Sequence, residues 1–406
     1  MQKHQPIMDW IAARQQAMLQ QVITWSNINT GSANVSGITK LLAALRSQSA
    51  ELNGTTTLES RPPAAVFGSH GHPVEQPLGP ALQIVKRPDA PRKIFLCIHS
   101  DTVYPPDSPF QTAALGPDGI LRGPGVADAK GGLAVMFNAL AAFEQSPLAQ
   151  QIGWEVLVNP DEEIGSPGSF DLLIAAAKRN HLGLLFEPAL PDGGLAARRK
   201  GAGNFSIVIH GKSAHTGRDF SAGRSAILAA SELTLALHAL NETIPGIIVN
   251  VGSIDGGGPP NVVPDLAICR VNVRTQDPQD ESRLRDVLNQ CVQKTNQRPG
   301  ISAQLHGSFH AAPKIPDAPA QTLLDATIAC AREIGLTLTT HSVGGSCDGN
   351  KLAAAGLPNV DTLGVRGGKT HSPEEFMIPA SLTERTQLTT LLLLNLASGD
   401  IPWPIK

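Results

Sequence analysis

Three stretches decide the fold: KIFLCIHSDTVYP (residues 93–105), WEVLVNPDEEIG (154–165) and LGLLFEP (182–188). Each opens with a short apolar run and breaks at Pro, Gly or a charged residue, which reads as a buried strand and not a helix. Between and after them, residues 133–143 and 170–178 carry longer, helical patterns of apolar residues. The alternation implies βαβ units and an α/β domain with a mixed, mostly parallel sheet flanked by helices. The polar residues fall where such a sheet would use them. His99 and Asp101 follow the first strand, Glu162 and Glu163 the second, and Glu187 the third. Ligands of open α/β sheets bind at the carboxyl ends of the strands, so these side chains aim at one place. A set of His, Asp and Glu converging there suggests a metal centre.

Outward from this block the rhythm changes. From residue 204 the order is strand (204–210), helix (221–241), strands (246–254 and 267–274), helix (280–297) and strand (301–305), a βαββαβ pattern. Ile227, Ala230, Leu233, Leu237 and Leu240 recur every three or four residues along the first of these helices, giving it one apolar stripe for one face of a four-stranded sheet. We read an inserted ferredoxin-like domain at 200–311, bracketed by turn-rich linkers at 191–194 and 311–316. Residues 1–199 and 312–406 then form one discontinuous domain, the one that carries the candidate centre. The segment 59–91, dense in Pro and Gly, reads as loop or irregular edge strands.

Composition narrows the function classes. The chain has 406 residues, 41% hydrophobic and 17% charged, with a net charge of −3. That is globular and offers no field for gathering polyanions, so nucleic acid is not an expected partner. Five scattered cysteines without a CxxC pair indicate neither a disulfide framework nor a thiolate zinc site, and fit a reducing, cytoplasmic setting. The first thirty residues read as an amphipathic helix, not a secretory signal. The longest apolar run, from Leu391, is broken at Asn395, too short to span a membrane.

Taken singly, the candidate residues are unremarkable: a lone histidine or surface acid is more often packed or solvated than ligating. Their positions together carry the chemistry. Strand periodicity lets His99 and Asp101 point to one side, so that one ligates while the other orients it. Asp128, in GPGVADAKGG (123–132), opens an apolar helix and has two oxygens with which to bridge two metals. Of the adjacent Glu162 and Glu163, one can ligate and the other accept a proton from water. Competing motifs fail. A Walker loop ending at GKS (211–213) would need Gly where Ser206 stands, Asp128 occupies the third glycine of a dinucleotide fingerprint, and no GxSxG is present.

The motifs HSDTVYP (99–105), GPGVADAKGG, NPDEEIGSPGS (159–169), FEP (186–188), GKSAHTG (211–217) and THSPEEF (370–376) resemble, in order, those of the M20 metallopeptidases, across nearly the whole chain. The resemblance implies a dinuclear zinc centre, also able to hold cobalt or manganese. It makes His99 and Glu187 ligands of one metal, Glu163 and His371 ligands of the other, and Asp128 the bridge. It makes Glu162 the general base, Asp101 the partner of His99, and the Asp128–Ala129 peptide cis. His215 becomes an oxyanion-stabilising residue reaching across a homodimer formed through the inserted domain, though by itself it is also a turn residue beside Gly217. Arg274 becomes the clamp for a substrate carboxylate, though a structural ion pair is the alternative, with Asn261 and Gly345 assisting. Two departures, Ile98 before His99 and Cys347 within GGSCDGN, remove no ligand. The activity implied is hydrolysis of an amide in a small peptide or N-acyl amino acid. A carboxypeptidase releasing a C-terminal residue such as glutamate is the first reading, and an acetylornithine- or succinyl-diaminopimelate-type deacylase the second. A non-catalytic binding protein of the same fold and a dehydrogenase are the readings from other classes.

Overall fold

A computed structural model describes residues 2–404; Met1 and residues 405–406 of the expected catalytic unit lie outside the described residues. A six-stranded sheet runs in the order Thr55–Glu59, Ala81–Lys86, Gly153–Asn159, Lys93–His99, Leu182–Leu185 and Asn359–Val360. The last four strands pair in parallel and the first two join antiparallel, so the sheet is mixed. Strand Ala81–Lys86 corrects the reading of 59–91 as loop or edge. It lies inside the sheet, and Ala81, Leu82 and Ile84 are fully buried.

Both faces of the sheet are covered, as the continuous burial of its central strands requires. On one side lie helices Gln5–Ala13, Gln15–Ser26, Val35–Ser49, Gly132–Glu144 and Ser381–Ser398, sharing one hydrophobic core with Ile94, Leu96, Ile98 and Val156. On the other, Phe170–Arg179 and Asp348–Ala354 pack through Leu172, Leu173 and Leu352 against Phe95, Cys97 and Leu157. The glycine at the start of helix Gly132–Glu144 is a packing requirement, since a Cβ there would lie 2.1 Å from the carbonyl oxygen of Phe186. The segment Val126–Glu144 is apolar enough to cross a membrane by composition, but 89% of it is buried inside the protein, as a core helix is.

The βαββαβ segment forms its own antiparallel sheet, in the order Ile248–Gly256, Leu266–Thr275, Gly201–His210 and Ser302–Ala311, with helices Ala226–Thr243 and Gln279–Asn296 against it and a separate hydrophobic core. The first helix begins later than its periodicity suggests because the Ser225 hydroxyl caps it, accepting from the Leu228 N–H at 3.2 Å. Its buried stripe is Ala226, Ala229, Ala230, Leu233 and Leu237, while Ile227 is 40% exposed.

Candidate metal centre

The carboxyl ends of three parallel strands deliver the site. His99 is the last residue of its strand, Glu162 and Glu163 follow Gly153–Asn159, and Glu187 follows Leu182–Leu185. Asp128 arrives from the turn before helix Gly132–Glu144, where its peptide with Ala129 is cis. His371 arrives from a loop between strands Gly367–Gly368 and Phe376–Met377, with its backbone in the left-handed region at φ 62°.

Five of these side chains meet, and Glu162 lies near enough to Glu187 and His99 to feel their charge. His99 Nε2 lies 3.0 Å from Asp128 Oδ1 and 3.9 Å from Glu187 Oε2. His371 Nε2 lies 3.1 Å from Glu163 Oε2 and 3.5 Å from Asp128 Oδ2. Asp128 thus offers one oxygen to each histidine, and ligand atoms of His99, Asp128 and Glu163 fall within 4.8 Å of one another. On its other side His99 Nδ1 lies 3.3 Å from Asp101 Oδ1 and 3.1 Å from its carbonyl oxygen. A proton held there leaves the Nε2 lone pair for a cation that replaces the Nε2 proton between Asp128 and Glu187.

Asp101, fully buried, does more than hold that ring. Its two oxygens accept the N–H of Glu162 at 3.1 Å and of Glu163 at 3.2 Å, and the Ser32 hydroxyl donates to it at 2.6 Å. One carboxylate therefore ties the first strand's histidine to the second strand's pair of acids.

The electrostatics are those of a site short of positive charge. Burial, with the Asp128 charge adding to it, pushes Glu187 up to about 8 and raises Glu163. Burial and the neighbouring Glu187 raise Glu162 well above the carboxylate range. Despite burial, hydrogen bonds to Asp101 and Asp128 hold His99 well above its ordinary value, and Asp128 and Glu163 lift His371 to about 11. Asp128, between two histidines, is held well below the usual range although it is buried. Three crowded carboxylates and two imidazoles are a donor set that divalent cations fit, replacing protons that the site otherwise retains. The Glu162 carboxylate makes no hydrogen bond or ion pair among the described residues, so it is available to a substrate or water.

The remaining expected residues are placed unevenly. Arg274 reaches from the inserted sheet to the catalytic unit, donating to Ser346 Oγ at 3.1 Å and to Asn272 Oδ1 at 3.1 Å, and it lies near enough to Glu162 to feel its charge. Gly345, beside Ser346, accepts from Arg199 at 3.2 Å. His215 and Asn261 neighbour each other, the Asn261 carbonyl accepting the Thr216 N–H at 3.0 Å, but both are exposed on the inserted domain and neither bonds to the metal cluster within this chain. The His215 ring instead accepts the Gly217 N–H at 3.1 Å.

Sequence reasoning missed Glu375. Buried in THSPEEF, it accepts the N–H groups of Gly125, Ala127 and Asp128, each at 3.0 Å, and the Tyr104 hydroxyl at 2.8 Å. It fixes the loop that presents Asp128. Its motif was visible, but an acceptor role for distant backbone donors leaves no mark in residue type.

Comparison with known proteins agrees with this architecture. The profile of peptidase family M20/M25/M40 matches residues 95–395. Carboxypeptidase G2 of a Pseudomonas species is 27% identical over 327 residues, covering 76% of this chain and 75% of that protein. Succinyl-diaminopimelate desuccinylase of Pseudoalteromonas translucida is 26% identical over 306 residues, covering 72% and 78%. Among solved structures, an M20 metallo-carboxypeptidase of Sulfolobus solfataricus superposes with TM-score 0.74 at 16% identity, covering 94% of this chain and 99% of its own. A di-peptidase of Saccharomyces cerevisiae superposes at 0.78 and 13%, covering 97% and 98%.

Proposed function

The chain belongs to peptidase family M20/M25/M40, and from that membership and its site we propose a two-metal amide hydrolase that removes the C-terminal amino acid from a small peptide or N-acyl conjugate. The observation that carries the reading is the convergence of His99, Asp128, Glu163, Glu187 and His371 within contact of one another, with Glu162 beside them and unengaged. We assign His99 and Glu187 to one divalent cation, Glu163 and His371 to a second, and Asp128 to both; zinc suits this donor set. When bound, the cations supply Lewis acidity toward an amide carbonyl and acidify water. The protein's own residues do the rest. Asp101 keeps the His99 ring in register and fixes the backbone of Glu162 and Glu163. The Glu162 carboxylate takes the proton of the attacking water and returns it to the departing nitrogen. The guanidinium of Arg274, partly buried and close to Glu162, forks a substrate carboxylate.

Glutamate as the released residue, a cytoplasmic setting, the unit boundaries 1–199 with 312–406 against 200–311, and a homodimer through the inserted domain belong to the same proposal. The exposed His215 then serves the oxyanion of a partner's site. A desuccinylase among the relatives supports deacylation of an N-acyl amino acid as the second reading. Glu162→Gln separates binding from chemistry. Metal content by elemental analysis stays at the wild-type level while kcat falls by about 10² to 10⁴. A variant that keeps wild-type turnover contradicts the assignment.

A further inference from the structure

Resting on the hydrolase reading, we propose that the acyl side of the substrate is a short, uncharged, apolar group, held in a cavity on the Glu163 side of the centre. The cavity has a volume of about 310 Å³ and is walled by Ala33, Val103, Pro105, Pro106 and Ile164, with Glu163 also in its lining. Its other side chains, Ser32, Gln76 and Thr102, are uncharged, and the Ser32 hydroxyl is already turned to Asp101. No Lys, Arg or His lines it among the described residues. With Glu163 engaged at the metal centre, no cationic side chain in the wall pairs with a carboxylate, and Gln76 and Thr102 offer it only neutral donors.

The position follows from the different surroundings of Arg274 and Glu163. The Arg274 guanidinium bonds to Ser346 and Asn272, neither of which lines the cavity, whereas Glu163 contacts His371 and borders it. A substrate carboxylate on Arg274 and an amide at the centre therefore leave the acyl arm to run past Glu163 into this space. The volume is at the small end for ligand pockets, which fits a chain of a few carbons. A butyryl arm gains two buried methylenes over acetyl, roughly tenfold in kcat/KM. A succinyl arm has the same four carbons but brings an unpaired charge into an apolar wall.

The test uses the metal-loaded full chain and the N-acetyl, N-butyryl and N-succinyl derivatives of one amino acid. We expect kcat/KM for butyryl to exceed that for both others by about tenfold or more. Val103 is 39% exposed, so a lysine there is accommodated, and Val103→Lys should raise the succinyl-to-butyryl ratio by at least about tenfold. Calorimetric binding of the butyryl and succinyl compounds to metal-loaded Glu162→Gln, with and without Val103→Lys, provides a readout independent of turnover. Succinyl equal to or better than butyryl in the wild type, or ratios unmoved by Val103→Lys, overturns the proposal while leaving the hydrolase reading intact. Preferential butyryl binding, reversed by Val103→Lys, without hydrolysis of any compound sustains the cavity's role and overturns the hydrolase reading.

Discussion

Replacing Glu375 by alanine removes the acceptor for three backbone N–H groups and one phenol in a buried loop. A buried donor left without a partner costs about 1–3 kcal/mol. Glu375 is itself uncomfortable, since burial and the neighbouring Asp128 push its carboxyl up to about 7, and losing that charge offsets part of the damage. The net destabilisation expected is about 3–5 kcal/mol, read as a lower urea midpoint at unchanged slope. Because one of the stranded donors is the N–H of Asp128, the loop carrying that proposed ligand shifts as well. Metal affinity, measured by competition with a chromophoric chelator, should fall about 10- to 100-fold. Glu375→Gln retains one acceptor oxygen but turns an amide N–H₂ toward the other donors, so it should fall between wild type and alanine. A loss below about 1 kcal/mol together with unaltered metal affinity would refute the idea that this carboxylate organises the ligand loop.

Two other consequences are independent of that loop. Asp361, fully buried, is held well below the carboxylate range, against the cost of burial, by Arg199 at 2.8 Å and Lys314 at 2.7 Å. Its folded-state pKa is depressed, so its contribution is present above the unfolded value of about 3.9 and is lost as pH falls toward the folded one. Asp361→Asn should cost about 3–5 kcal/mol at pH 7 and show a smaller further loss than wild type on titration to acid; parallel losses would contradict the assignment. If His215 acts across a dimer, His215→Ala and Glu162→Gln are each nearly inactive, yet mixing and re-equilibrating the two restores up to about a quarter of wild-type activity, because half the dimers carry one intact site. No recovery on mixing argues against a shared site.

Much of the centre was legible because strands announce their ends. His99 and Glu187 stand directly after buried apolar runs and Glu163 one short turn after another, so sheet geometry brings them to the same edge. His371 sits in a loop between two-residue strands, with no periodicity to place it, and only its motif pointed there. Strand Ala81–Lys86 was obscured by Pro77, Gly79, Pro80, Pro88 and Pro91 around it, turn-forming residues that bound the strand without entering it. The cap at Ser225 moved a helix start that periodicity alone sets too early. The roles of Asp101 and Glu375 as acceptors for backbone N–H groups could not be read in advance, since those partners are common to every residue type.

The account rests on two cations held by five side chains. The most direct measurement is an anomalous difference map from crystals of the zinc-loaded protein. It should show two peaks, one between His99 and Glu187 and the other between Glu163 and His371, with Asp128 reaching both. A single peak, or zinc bound elsewhere while these side chains keep only one another for company, would contradict it.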